Sequence, residues 1–441
     1  MSRSALALDI GGTKFAAALV SDDEAVHRPP PGSGMLAGVI ATVGLADIRA
    51  ARTLLAGVSR TTPMAGLRGL SEQVGGPVLL KCENLQRTGS FKIRGAYVRI
   101  SRLSDQERAR GVVAASAGNH AQGVALAAAL LGCRSTVFMP EAAPLPKVAA
   151  TRGYGAEVRH AGHTVDEALV AASAFAAETG AVLIHPFDHA DVIAGQGTVG
   201  LEILEQCPEV RTVVVATGGG GLLAGIAAAV TELRPDVRVV GVQAAGAAAF
   251  CVSLRAGRPV ALTTMTTMAD GIAVGRPGEL TFPLVRDLVD SVVTVDDDAL
   301  SRALLLLLER AKLVVEPAGA AGLAAVMEDP TAFEPPVVVV VSGGNIDPLL
   351  LSKVIRRGLV AAGRFLSLKV RIPDRPGELA RMLGVLGEVG ANVLDVEHSR
   401  TGPGLHLDEV AVELQLETRG PEHGADVLAR LAAAAYTVTP V

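Results

Sequence analysis

Val213-Val214-Val215-Ala216-Thr217-Gly218-Gly219-Gly220-Gly221-Leu222 is the stretch from which the rest of the chain can be ordered. The apolar run before the glycines reads as a buried strand and the apolar segment over residues 222–230 as a helix, so Gly218, Gly219, Gly220 and Gly221 make the connection. A strand, glycine loop and helix aim backbone N–H groups and the positive end of a helix dipole at one point, which is a phosphate site. Side chains there would keep a phosphate away from the amides. A glycine run by itself is equally compatible with a plain tight turn. A lysine far upstream decides between the two.

That lysine is Lys92, in Thr88-Gly89-Ser90-Phe91-Lys92-Ile93-Arg94-Gly95-Ala96. An amine paired with a phosphate cradle suggests an aldehyde cofactor: the amine forms a Schiff base with pyridoxal and the cradle holds the 5′-phosphate. Most lysines are exposed helix cations, and the flanks separate the two readings. Besides residues 88–96, the chain carries Ala115-Ser116-Ala117-Gly118-Asn119-His120-Ala121-Gln122-Gly123 and blocks at residues 191–203, 217–225, 316–321 and 342–345, in that order. With these blocks, residues 45–363 resemble the fold-type II pyridoxal 5′-phosphate enzymes, and among them the threonine and serine dehydratases. The resemblance implies an α/β protein of two open, largely parallel lobes, the smaller spanning about residues 87–185, with the cofactor in the cleft between them.

Roles follow from that resemblance residue by residue. Lys92 is expected to hold the aldehyde and, once displaced by the substrate amine, to remove the α proton; burial against Phe91 would lower its pKa for that task. Asn119 matches the residue that hydrogen-bonds the cofactor's ring oxygen, although asparagine also caps turns. Ser116, Ala117 and Gly118, with Asn119 and His120 completing the block, would receive the substrate carboxylate at a helix start. Gly218 to Gly221, with Leu222, would hold the phosphate. Ser342 follows the apolar run 337–341 and matches the serine that faces the pyridine nitrogen. A neutral hydroxyl leaves that nitrogen unprotonated, which favours prompt loss of a β-hydroxyl over transamination. Glu316, in Glu316-Pro317-Ala318-Gly319, is either a carboxylate of the cleft wall or a helix cap. Related serine racemases carry a second serine where this chain has Ala117, so racemisation should be weak. Relatives that bind a divalent cation use acidic residues just beyond the strand that here ends at Gln243. Residues 244–249 offer no carboxylate, so no metal is expected there.

From residue 45 onward, short apolar runs at residues 78–80, 111–114, 136–139, 182–184, 213–216, 237–242 and 337–341 alternate with alanine-rich helical segments. That is the pattern of open parallel sheets covered by helices, expected over residues 43–363. Residues 364–441 read as a separate unit of order βαββα. Strand 368–372 leads to a helix with Pro376 in its first turn; strands 393–398 and 409–416 and a helix near 427–435 follow. Asp374-Arg375-Pro376-Gly377-Glu378-Leu379 and Gly390-Ala391-Asn392-Val393 resemble the ligand loop and following strand of the ferredoxin-like ACT domain. An amino-acid effector is expected there, a purely structural dimerisation role being the other reading. Residues 5–20 resemble the opening strand and phosphate turn of sugar kinases of the repressor/kinase family. Followed by Arg28-Pro29-Pro30-Pro31-Gly32 and lacking a second lobe, residues 1–42 read as a kinase-like fragment and linker.

With 441 residues, 49% of them hydrophobic and 19% charged, the chain has material for two or three domains. A net charge of −5 without a basic run gives nucleic acid and anionic lipid nothing to grip. No apolar stretch is long enough to span a bilayer and no signal-like core opens the sequence, so a cytoplasmic location is expected. Cys82, Cys133, Cys207 and Cys251 lack metal-like spacing and read as reduced, mostly buried thiols. The expected activity is elimination of water from L-threonine to give 2-oxobutanoate and ammonia, with L-serine as a further substrate, by a homodimer or homotetramer. Serine dehydratase or serine racemase is the alternative on the same fold. A sugar kinase would need only residues 9–13, and a non-catalytic amino-acid sensor only the C-terminal unit.

Overall fold

Strands that are apolar on both faces are stable only where both faces are covered, and the inner strands of the chain's largest sheet, such as Thr212–Ala216 and Val337–Val340, are buried at every position. The computed structural model describes residues 26–27, 43–401 and 405–440. The kinase-like turn at residues 5–20 and the linker after residue 27 lie outside the described residues. Across the large sheet the order is Val26–His27, Ser291–Val295, Arg238–Ala244, Thr212–Ala216, Val337–Val340, Val78–Lys81 and Met64–Gly66. The inner strands are parallel and the two short edge strands antiparallel. A second sheet, ordered Glu157–His160, Ser135–Met139, Val112–Ala115 and Val182–Leu183, is parallel throughout. Helices cover these sheets, giving two α/β lobes.

No strand is expected from the sequence at Met64–Gly66, Glu157–His160 or Ser291–Val295, although Val292, Val293 and Val295 make the last of these apolar. In Glu157–His160 only Val158 is even half-buried, so this edge strand needs no apolar run to be stable.

Three helices set the distance across the cleft: Lys92–Ser101, Ala190–Gln206 and Gly221–Leu233. A Cβ on Gly195 would sit 2.6 Å from the Gly95 Cα, and a Cβ on Gly225 would sit 2.6 Å from the Gly197 nitrogen. These are backbone-to-backbone contacts that any side chain would wedge apart. The central helix Ala190–Gln206 therefore holds both the helix that begins with Lys92 and the helix that begins at the glycine loop.

A buried ion cluster reinforces the first of these helices. Arg94 is fully buried and donates to Glu83 at 2.8 and 2.9 Å and to Glu202 at 2.7 Å. Lys81 donates to Glu202 at 2.6 Å. Two cations thus face two carboxylates, the condition under which buried charge is tolerated.

The C-terminal unit runs Phe365–Pro373, Glu378–Val389, Asn392–Ser399, Glu409–Glu417, Pro421–Ala433 and Thr437–Pro440. Its antiparallel sheet packs against two helices around Leu368, Met382, Leu386, Val412 and Leu431. The order is βαββαβ: Thr437–Pro440 adds a strand beyond the βαββα pattern and pairs with Phe365–Pro373. The first helix starts at Glu378, two residues after Pro376, because Gly377 at φ 88° holds the left-handed conformation ahead of it. The unit joins the large lobe through helix Pro348–Ala361 and an Arg364–Glu309 ion pair of 2.5 Å. Glu309 belongs to the π-helical turn Leu307–Ala311, a few residues ahead of Glu316.

Candidate active site

The strand Thr212–Ala216 is buried at every position and delivers the chain to the glycine loop at the cleft wall. Gly220 turns it with φ 95°, a left-handed angle at which a side chain is strained. The first intrahelical bond beyond it runs from Ala224 N–H to the Gly220 carbonyl at 2.8 Å. The amides of Gly221, Leu222 and Leu223 precede that bond and have no carbonyl of their own helix to reach. Phe187 occupies the space beside the loop: a Cβ on Gly221 would lie 2.9 Å from its Cβ, and one on Gly219 would strike its ring.

Across the cleft, which encloses about 820 Å³, stands Lys92 at the first turn of its helix. Its Nζ donates to the Pro186 carbonyl at 2.9 Å and lies 5.1 Å from the Phe91 ring centroid. Burial lowers its pKa to about 8, against an upward pull from the Glu316 carboxylate. Glu316 is shifted the other way, up to about 7, chiefly by burial and then by the Asp270 charge. An amine pushed down and a carboxyl pushed up within one cleft bring both groups into the range where protons exchange near neutral pH.

Glu316 occupies the N-cap position of helix Pro317–Glu328, yet its side chain makes no cap bond. Its Oε1 instead accepts from Asn119 Nδ2 at 2.5 Å, so the carboxylate belongs to the cleft wall. Asn119 opens helix Asn119–Leu130, and its Oδ1 accepts from Asn345 Nδ2 at 2.7 Å. Ser342 follows strand Val337–Val340, lines the same cleft, and its carbonyl accepts from Phe91 N–H at 3.2 Å. Ser116, Ala117 and Gly118 leave the small sheet just ahead of the Asn119 helix, and the Gly118 amide is donated to Ser116 Oγ at 3.1 Å. His120 lines the same cleft; its Nε2 meets the Ile184 carbonyl at 2.8 Å, and burial lowers its pKa to about 3, leaving a neutral ring. All the residues assigned from the sequence thus converge on one cleft.

Sequence reasoning passed over several groups. Pro186 supplies a carbonyl and Phe187 a ring, and neither residue type signals a site. Lys147, on helix Leu145–Gly153 of the small lobe, reaches Asp270 of the large lobe at 2.9 Å across the cleft mouth. Asn345 falls within a block that the resemblance uses but was given no role there. Among the described residues, no group of three or more His, Cys, Asp or Glu side chains is arranged to hold a metal ion.

The donor set fits an aldehyde that carries a phosphate: an amine of lowered pKa, a helix start cleared of side chains, and an amide and a hydroxyl between them. A family profile described as "Pyridoxal-phosphate dependent enzyme" matches residues 55–343, and one described as "ACT domain" matches residues 366–433. The L-threonine ammonia-lyase of Thermotoga maritima is 48% identical over 396 residues, which are 90% of this chain and 99% of that protein. Among solved structures, the processed form of threonine deaminase isoform 2 from Solanum lycopersicum superposes with a TM-score of 0.71 at 36% identity, covering 76% of this chain and 97% of that one. Maize serine racemase superposes with a TM-score of 0.68 at 38% identity, covering 72% of this chain and 98% of that one.

Proposed function

We infer the activity from one premise: this chain belongs to the family of pyridoxal-phosphate dependent enzymes and carries an ACT domain. Its cofactor is pyridoxal 5′-phosphate, and its reaction converts L-threonine to 2-oxobutanoate and ammonia; L-serine would give pyruvate by the same route. One observation carries the reading at the level of residues. The Lys92 amine, with its pKa near 8, shares a cleft with the bare helix start at Gly218 to Gly221.

Lys92 would hold the cofactor's aldehyde carbon, the amides from Gly218 to Leu222 its phosphate, Asn119 its ring hydroxyl and Ser342 its ring nitrogen, with Phe91 beside the amine. When bound, the cofactor supplies an electron sink that acidifies the substrate's α carbon. Lys92 takes that α proton, a task suited to an amine that is partly neutral near pH 8. Ser116, Ala117 and Gly118 receive the carboxylate ahead of the Asn119 helix, while His120 secures the first turn of that helix through Ile184. Glu316 stands beside Asn119 as a reservoir for a proton. The β-hydroxyl departs as water, and a water molecule later releases the nitrogen as ammonia, so threonine is accounted for as 2-oxobutanoate plus ammonia. At position 117 the methyl of Ala117 has no proton to deliver to the α carbon, which disfavours serine racemisation.

The ACT-like loop at residues 374–379 supports an amino-acid effector such as isoleucine or valine acting through residues 364–441. A homodimer or homotetramer and a cytoplasmic location complete the proposal. Among the described residues, no helix is long and apolar enough to cross a membrane.

Purified protein should absorb visible light and turn over threonine, and Lys92→Ala should lose the absorbance together with roughly 10³-fold or more of the turnover. A colourless wild type that is nevertheless active would sink the reading. Abundant D-serine formed from L-serine would move it to a racemase.

A further inference from the structure

Asn119 can present either end of its amide to the cleft, and the two ends have opposite chemistry: one donates and the other accepts. What fixes the choice is a chain of bonds beginning at a group that has no choice. The Thr88 carbonyl can only accept, and it accepts from Asn345 Nδ2 at 2.6 Å. The second hydrogen of the same Nδ2 goes to Asn119 Oδ1 at 2.7 Å. With its oxygen thus taken, Asn119 must turn its Nδ2 the other way, toward Glu316 Oε1 at 2.5 Å.

The backbone around the start of this chain is unusual in a way that serves it. Thr88 holds φ 63°, a left-handed angle rare for a threonine, and Gly89 follows at φ 71°. A Cβ on Gly89 would run into the Asn345 amide, and a Cβ on Gly343 would lie 3.0 Å from Asn119 Nδ2. The Gly344 amide donates to the Gly89 carbonyl at 2.9 Å, and Ser90 bridges Gly343, so the two segments are clamped side by side. A strained turn is thereby held where its carbonyl meets one side-chain amide.

We propose that Asn345 is a positioning residue that sets the orientation of the Asn119 amide, so that Asn119 offers N–H rather than oxygen to Glu316 and to the ligand in the cleft. One hydrogen of Asn119 Nδ2 is committed to Glu316; the other is available to an oxygen acceptor. The inference rests on the proposed cofactor reading, in which that acceptor is the ring hydroxyl of pyridoxal 5′-phosphate. An aspartate in place of Asn345 reverses the chain: it cannot donate to Thr88 or to Asn119, and it draws the Asn119 N–H groups toward itself. Asn119 then turns its oxygen to the cleft.

The test is a double-mutant cycle on the full-length protein, stripped of cofactor and titrated with pyridoxal 5′-phosphate, with thermal melting as the folding control. Asn345→Ala should weaken cofactor binding by about tenfold, Asn345→Asp should weaken it further, and Asn345→Ala should add nothing in an Asn119→Ala background. The visible absorption maximum of the bound cofactor should shift in Asn345→Asp, a change that a merely loosened fold does not produce. Additive losses in the double variant, or Asn345→Asp with the parent's affinity and absorption maximum, overturn the proposal. Should Asn345→Asp not fold, the alanine cycle decides alone, and Asn345→Ser takes its place if that variant is also unstable. A parent protein that binds no pyridoxal 5′-phosphate defeats the cofactor reading itself. A parent that binds it, with variants that bind equally well, defeats only the role of Asn345.

Discussion

Lys92 sets the first expectation at the scale of single residues. An amine captures an aldehyde only when its lone pair is free, so capture by the stripped protein should accelerate with rising pH and level off above about 8, where burial has placed the Lys92 pKa. Stopped-flow mixing with pyridoxal 5′-phosphate measures this, and an inflection at the value of an ordinary lysine would contradict the burial argument. The Glu316 charge raises the Lys92 pKa, so the neutral Glu316→Gln should move the same inflection below 8. Much of the cleft wall was legible in the sequence, because Lys92, Asn119, Ser342 and the glycines each lie in a block that carries the family resemblance, and all of them line one cleft. Glu316 was not resolved, since a glutamate ahead of Pro317 looks the same whether it caps its helix or turns to Asn119. Pro186 stayed invisible because it contributes only its carbonyl, a group every residue has.

At the scale of elements, the glycine loop and the buried ion cluster make separate demands. Gly220→Ala places a side chain at φ 95° and a Cβ 2.6 Å from the Phe250 ring, which should cost about 1–3 kcal/mol in urea unfolding as well as cofactor affinity. Glu202→Ala removes the carboxylate shared by Lys81 and Arg94 and should destabilise the fold by about 3–5 kcal/mol, because buried Lys81 loses its carboxylate partner and Arg94 keeps only Glu83. Burial alone would raise the Glu83 pKa, but the charge and hydrogen bonds of Arg94 outweigh it and hold the pKa down. A lowered carboxylate contributes stability above its unfolded pKa of about 4.3 and loses it as pH falls through the folded value, so acid should loosen this cluster. Most buried strands, such as Thr212–Ala216 and Val337–Val340, were legible as apolar runs. The edge strands Glu157–His160 and Thr437–Pro440 were not, because a strand that packs on one side or less leaves no apolar run to read.

At the scale of the whole molecule, the C-terminal unit reaches the large lobe through the Arg364–Glu309 pair, on the turn that leads to Glu316. If an amino-acid effector acts through that unit, Arg364→Ala should blunt the response of threonine turnover to isoleucine or valine while leaving turnover without effector within about twofold, as expected for an exposed ion pair. Initial rates with and without each amino acid measure this, and an undiminished response would route the coupling elsewhere. The glycine contacts along Ala190–Gln206 have a mechanical consequence. They work as the locked screw of a pair of calipers: the amine and the phosphate grip sit on arms of fixed opening. Ser116 to Gly118 ride on the other sheet, so whatever adjusts to the size of an incoming amino acid must do so at its carboxylate end, leaving the gauge across the cofactor unchanged.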